Sequence, residues 1–150
     1  VITDTILLKG VVNMEMKVKW NDNLKFEGTG ESGHKIGMDA SESAGGDDSA
    51  ARPLEMLLSG LGGCTGIDVV LILKKMKAEI LDFDIDIEAK RAEDHPKRFE
   101  EIHLKYFIKG KNLDEKKVKK AIDLSEEKYC SASASLNAEI TSSFVIEHVE

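Results

Sequence analysis

The sequence predicts an α+β fold with elements in the order β-β-β-α-β-β-α-β. That expectation rests on segments that alternate apolar and polar residues, such as VVNMEMKVKW and EILDFDIDIEAKRA. It rests also on a long run from Leu54 to Met76 that is apolar nearly all round, and on an amphipathic pattern in NLDEKKVKKAIDLSEEKY. At 150 residues the chain can bury one real core and is short for two ordinary ones. Residues 1–150 are therefore expected to form one domain.

In chain order, VVNMEMKVKW reads as a half-buried strand, NDN as a turn and LKFEGTG as the returning partner. HKIGMDAS is a third strand. ESAGGDDSAARP has the small, acidic, glycine-bearing composition of an exposed loop. Pro53 suits a first helical position, where its missing N–H costs nothing. The helix from about Pro53 to Lys77 lacks a polar face, so it should be covered on most sides, and in a chain this small a partner subunit is the simplest cover. EILDFDIDIEAKRA is a strand whose apolar signal comes from Ile80, Phe83, Ile85 and Ile87. HPKR turns it into FEEIHLKYFIKG, with Ile102, Leu104, Tyr106 and Ile108 on one face. The second helix has Asn112 or Asp114 as cap and a shared face of Val118, Ala121, Ile122, Ser125 and Tyr129. ASLNAEITSSFVIEHV closes as a strand.

The composition, 41% hydrophobic and 33% charged, is that of a soluble globular protein, and the formal net charge of -7 argues against a nucleic-acid or anionic-membrane binder. No basic-then-apolar leader is read at the start, and Glu55, Asp68, Lys74 and Lys75 interrupt the apolar run. Neither signal peptide nor membrane span is expected, and a cytoplasmic location follows.

The chemistry-bearing residues are two cysteines, Cys64 and Cys130. Their number and separation make neither a disulfide framework nor a zinc motif, and His95, His103 and His148 show no metal-ligand spacing. The pair is either two inert core thiols or a reversible redox couple. Cys64 lies among Gly60, Gly62, Gly63 and Gly66, each costing a helix about 1 kcal/mol against alanine. Close packing or chemistry must offset that cost. Locally neither thiol is activated: Asp68, one turn beyond Cys64, disfavours a thiolate, as does the helix C-terminus beside Cys130.

ARPLEMLLSGLGGCTGIDVVLIL resembles the first cysteine segment of the OsmC/Ohr family, and EEKYCSASASLNAEIT resembles the second. The layout between them is also similar, and the wording LLSGLGGCTGID looks closest to the YhfA-like branch. The resemblance implies an intertwined homodimer, with two six-stranded sheets around two central helices and the glycines at the close approach. It implies a thiol peroxidase acting on organic hydroperoxides or hydrogen peroxide, with no metal or organic cofactor. By position Cys64 would be the peroxidatic thiol and Cys130 the resolving one, and a dithiol, often lipoyl-based in the family, would be the reductant. The peroxidase branches also use an arginine from the N-terminal half and a glutamate that orients it. Here no arginine precedes Arg52, and Glu55 stands one position past the family's glutamate, where Leu54 lies. Arg52, His34 and Lys35 are the available substitutes for that cation. Plain readings also exist: a solvated residue at a helix start for Arg52, a dipole-favouring acid for Glu55, a surface strand position for His34. The missing arginine and the adjacent Asp68 motivate an alternative, the same homodimer retained as a small-molecule binding protein or redox sensor.

Overall fold

The computed structural model describes residues 13–149. Val11 and Val12, which open the first expected strand, lie outside the described residues, as does the start of the chain on which the leader reading rests. The elements follow the expected order, with a 3-10 turn at Glu42–Ala44 inside the expected loop and a short helix added before the last strand. The chain divides into two compact units after Met56.

The first unit carries an antiparallel sheet of β1 (Met16–Asp22), β2 (Lys25–Gly30) and β3 (Lys35–Met38), in that order. Asn23 takes the left-handed backbone conformation that the tight β1–β2 turn requires, and Trp20 Nε1–H donates to its carbonyl at 2.8 Å. Alternation misleads in one respect. β1 is exposed along its whole length rather than half-buried, with Trp20 60% and Val18 56% exposed, because no described residue covers that face. After β3 the loop is organised by buried Asp39, whose carboxylate accepts from the backbone N–H groups of Ala40 (2.7 Å), Asp47 (3.3 Å) and Ser49 (3.0 Å) and from Ser49 Oγ (2.7 Å).

The second unit is built on a sheet of β4 (Glu79–Arg91), β5 (Phe99–Lys111) and β6 (Glu139–His148), with β5 central. β4 pairs antiparallel to β5 through the expected hairpin. β6 runs parallel to β5, which demands a crossover, and α2 (Glu115–Leu124) supplies it. An irregularity between Ile80 and Asp82 explains an odd feature of the pattern. The extra residue lets Ile80 share a face with Phe83, Ile85 and Ile87 despite the odd spacing. Ile102, Leu104, Tyr106 and Ile108 are all buried, as the alternation of β5 predicts.

α1 (Pro53–Lys75) starts at the expected proline. Its first turn is capped by Glu55, whose Oε2 accepts from Arg52 N–H at 2.9 Å, a glutamate at the third helical position reaching back to the capping residue. Within the second unit this helix buries a single stripe, Leu61, Thr65, Val69 and Leu73, at four-residue spacing. Leu71 and Ile67 remain 52% and 64% exposed. Complete coverage is thus not achieved by the described residues. By length and apolarity the helix would pass as a membrane span, but its stripe packs as a core helix does.

α2 begins at Asp114, whose carboxylate accepts from Lys117 N–H at 2.8 Å, and buries Val118, Ala121 and Ile122. It ends earlier than expected. Ser125–Tyr129 forms a π turn, and the wider winding rotates Tyr129 off the buried face, leaving it about half exposed. Ser131–Ala134, expected in part as strand, forms the short helix α3.

Candidate active site

Three elements of the second unit converge on the thiols. On α1, Cys64 and Asp68 are one turn apart, so their side chains rise on the same side of the helix. Thr65, the residue between them on the buried stripe, faces β5 instead. The π turn after α2 delivers Ser125 and then Cys130, which caps α3. The result brings Cys64 Sγ, a carboxylate oxygen of Asp68 and Cys130 Sγ within 4.8 Å of one another. Both thiols are free, Cys64 half-buried and Cys130 buried. Sixty-six positions of sequence separation close to a side-chain contact.

A hydroxyl chain underlies this cluster. Tyr106 Oη lies 2.8 Å from Thr65 Oγ1, Thr65 Oγ1 lies 2.9 Å from Ser125 Oγ, and Ser125 Oγ donates to Asp68 Oδ2 at 3.3 Å. Ser125 spends its proton on Asp68 and so must accept from Thr65, which in turn accepts from Tyr106. The chain is therefore directional and ends on the carboxylate beside the thiols. Burial pushes the Tyr106 phenol up to about 12, so it keeps its proton.

Burial, the largest influence, also pushes the Cys130 thiol up, and the neighbouring Cys64 adds to the push. Against it, Ser133 N–H donates to Cys130 Sγ at 3.5 Å. The helix end that precedes Cys130 is thus only part of its surroundings: it also caps the helix that follows. Glu126, on the same π turn, has an unpartnered buried Oε1; burial pushes its carboxyl up, and a hydrogen bond from Ser142 opposes the shift.

Of the other sequence candidates, Arg52, Glu55, Lys35 and His34 belong to the first unit. Arg52 Nη2 pairs with Asp48 at 2.6 Å, Glu55 caps the start of α1, and Lys35 Nζ pairs with Glu27 at 3.0 Å. His34 is exposed on the turn before β3. His103, on β5, is held by Thr141 Oγ1 and Ser143 Oγ, each at 2.8 Å. Sequence reading missed Thr65, Tyr106, Ser125 and Glu126 as parts of the site. The available signal was a hydroxyl on each of three apolar faces, and it was absorbed into the core pattern.

A groove of about 630 Å³ runs beside the glycines, lined among others by Gly62, Gly66, Ile67, Phe83, Ile85 and Ile87. A Cβ at Gly62 would stand 2.9 Å from Ile87 Cδ1 and one at Gly66 3.5 Å from Ile85 Cδ1, whereas Gly60 and Gly63 face open space. Two of the four glycines thus serve the approach of β4, and at the other two an added Cβ would meet no described residue within 4 Å.

The profile of a family described as OsmC-like protein matches residues 46–144. Protein YhfA of Escherichia coli strain K12 is 40% identical over 123 residues, covering 82% of this chain and 89% of that protein. Among solved structures, a hypothetical protein from Aquifex aeolicus superposes with a TM-score of 0.75 at 33% identity, covering 91% of this chain and 99% of the other. A protein from Legionella pneumophila, described as an organic hydroperoxide resistance protein OsmC, superposes with a TM-score of 0.66 at 16% identity, covering 93% and 99%. At that identity the likeness is one of fold.

Proposed function

The chain belongs to the OsmC-like protein family, in the branch that includes YhfA, and we propose that it acts there as a cysteine-based thiol peroxidase. The observation that supports this reading most is the meeting of Cys64 Sγ and Cys130 Sγ within 4.8 Å, beside a carboxylate. In the proposed cycle Cys64 sulfur attacks the outer oxygen of a hydroperoxide. The O–O bond breaks, the S–O bond of a sulfenic acid forms, and the thiol proton leaves with the alcohol. Asp68 does not replace the family's arginine, since its charge disfavours a standing thiolate; its part is that of a base, taking the proton from Cys64 directly or through one water as the sulfur attacks and returning it to the alkoxide. Cys130 then attacks the sulfenic sulfur; the disulfide forms and water departs with the Cys130 proton. A dithiol reductant returns both thiols. The buried, protonated Cys130 suits the second role, and half-buried Cys64 the first.

The reading includes a homodimer, in which a second copy covers the exposed stripe of α1 and the groove by the glycines, and both units of the chain act as one domain. It places the protein in the cytoplasm. It keeps Arg52 and Glu55 as candidate catalytic residues, each of which would exchange its present partner for that role. A second reading, a dimer that binds a small apolar molecule in the groove, is favoured by the groove's lining of Ile67, Phe83, Ile85 and Ile87.

The deciding experiment counts free thiols by mass under denaturing conditions, before and after one equivalent of an organic hydroperoxide. Loss of both thiols to one intramolecular disulfide within seconds is expected. Two unreacted thiols after minutes would sink the peroxidase and leave the binding dimer.

A further inference from the structure

The same cluster has a second chemistry that depends on the thiols but not on peroxide turnover. Cys64 Sγ, an Asp68 carboxylate oxygen and Cys130 Sγ come within 4.8 Å of one another from two separate parts of the fold. Tetrahedral zinc, at about 2.3 Å from sulfur and about 2.0 Å from oxygen, spaces its ligand atoms roughly 3.5–3.8 Å apart. Closing the present triangle by about 1 Å would meet that spacing, a movement within reach of side-chain rotation.

The donor set is selective. Two sulfurs and one carboxylate oxygen suit a thiophilic cation and are poor for calcium or magnesium, which want six or more oxygens or an octahedron of them. Three negative groups around a divalent ion also remove the difficulty the free site has, since a carboxylate beside two thiols disfavours thiolates until a cation is present. Supporting hydrogen bonds are in place as well. Ser125 Oγ donates to Asp68 Oδ2, and Ser133 N–H donates to Cys130 Sγ. Cys64 is half-buried rather than sealed, so a cation has a way in.

We propose that Cys64, Asp68 and Cys130 form a three-ligand site for a thiophilic divalent cation such as zinc, which binds with loss of both thiol protons and masks the thiols against oxidation. Zinc binding and oxidation to the disulfide then exclude each other, because the disulfide leaves neither sulfur with the charge a ligand needs.

The test titrates zinc into the reduced full chain, free of air, against a chromophoric chelator, with native mass spectrometry to count ions. One zinc per chain is expected, with two protons lost. Cys64→Ser and Cys130→Ser should each weaken binding by roughly 100-fold, and Asp68→Asn by about tenfold. The unaltered chain, oxidised to its disulfide, should bind none, a control that does not depend on a variant folding. Zinc should also slow modification of both thiols by an alkylating reagent. No stoichiometric ion, affinity unchanged in Cys64→Ser, or affinity unchanged in Asp68→Asn would each overturn the three-ligand site. Peroxide turnover is measured separately with chelator present, so the failure of one reading is told from the failure of the other.

Discussion

Tyr106 and Thr65, 41 residues apart in sequence, share a buried hydrogen bond of 2.8 Å between β5 and α1. It is the first link of the hydroxyl chain that ends on Asp68 next to the two sulfurs. Through it the core residue with the largest fully buried side chain is tied to the candidate chemistry.

Removing the middle of that chain should cost more than removing its end. Thr65→Val keeps the shape but leaves both the Tyr106 hydroxyl and Ser125 Oγ short of a partner, an expected loss of about 1–3 kcal/mol. Tyr106→Phe removes one donor and leaves Thr65 able to donate onward, so about 1 kcal/mol is expected. Urea unfolding of the two variants checks the order; a smaller loss for Thr65→Val would contradict Thr65 as the middle link of the chain.

The two thiols should behave differently when separated. With hydroperoxide, Cys130→Ser should accumulate a sulfenic acid on Cys64, trapped by a dimedone-type reagent and located by peptide mass. Cys64→Ser should leave Cys130 a thiol, since burial keeps it protonated and unreactive. A sulfenic acid on Cys130 instead would reverse the roles.

Gly63 tests the homodimer. Among the described residues a methyl group there meets nothing within 4 Å, and alanine would favour the helix by about 1 kcal/mol. If a second copy packs against the glycines, the methyl group obstructs that approach. Gly63→Ala is therefore expected to weaken self-association, read as a concentration-dependent shift in sedimentation. A variant that is more heat-stable with unchanged mass would show that face to be open.

Asp39 gives the first unit an acid limit. Hydrogen bonds from Ser49, side chain first and then backbone, hold its carboxyl down from 3.8 to about 2. A carboxyl whose folded value is depressed contributes stability above its unfolded value of 3.8, and loses it as pH falls through about 2. The loop it organises reaches Trp20, because Asn23 Nδ2–H donates to Gly45 carbonyl at 2.9 Å and Trp20 donates to Asn23. Fluorescence of Trp20 should change between those two pH values in the parent. Asp39→Asn should lower stability at pH 7 and flatten the acid transition; an unchanged transition would remove Asp39 as its cause.

Much of the second unit could be read from the chain because local rules and tertiary packing agree there. The alternation in β5 and the cap at Asp114 are each decided within a few residues, and the structure has both. The reading of β1 failed for a definite reason. Alternation reports that one face could be buried, and in β1 no described residue takes up the offer. The early end of α2 failed for another, since a π turn changes which residues share a face without changing their composition.

From sequence alone came the α+β order, the apolar helix with its glycines, the two-cysteine chemistry and the family pattern, all of which depend on residue type and near-neighbour spacing. Only the tertiary structure decided that Cys64, Asp68 and Cys130 meet, that Thr65 and Ser125 carry a hydrogen-bonded path from Tyr106 to that meeting, and that Arg52 is spent on Asp48 and Glu55 on the helix start. Those facts depend on how helices roll against the sheet and on the extra winding of one turn. Rotations of that kind move a side chain from core to site, and no spacing within a single element records them.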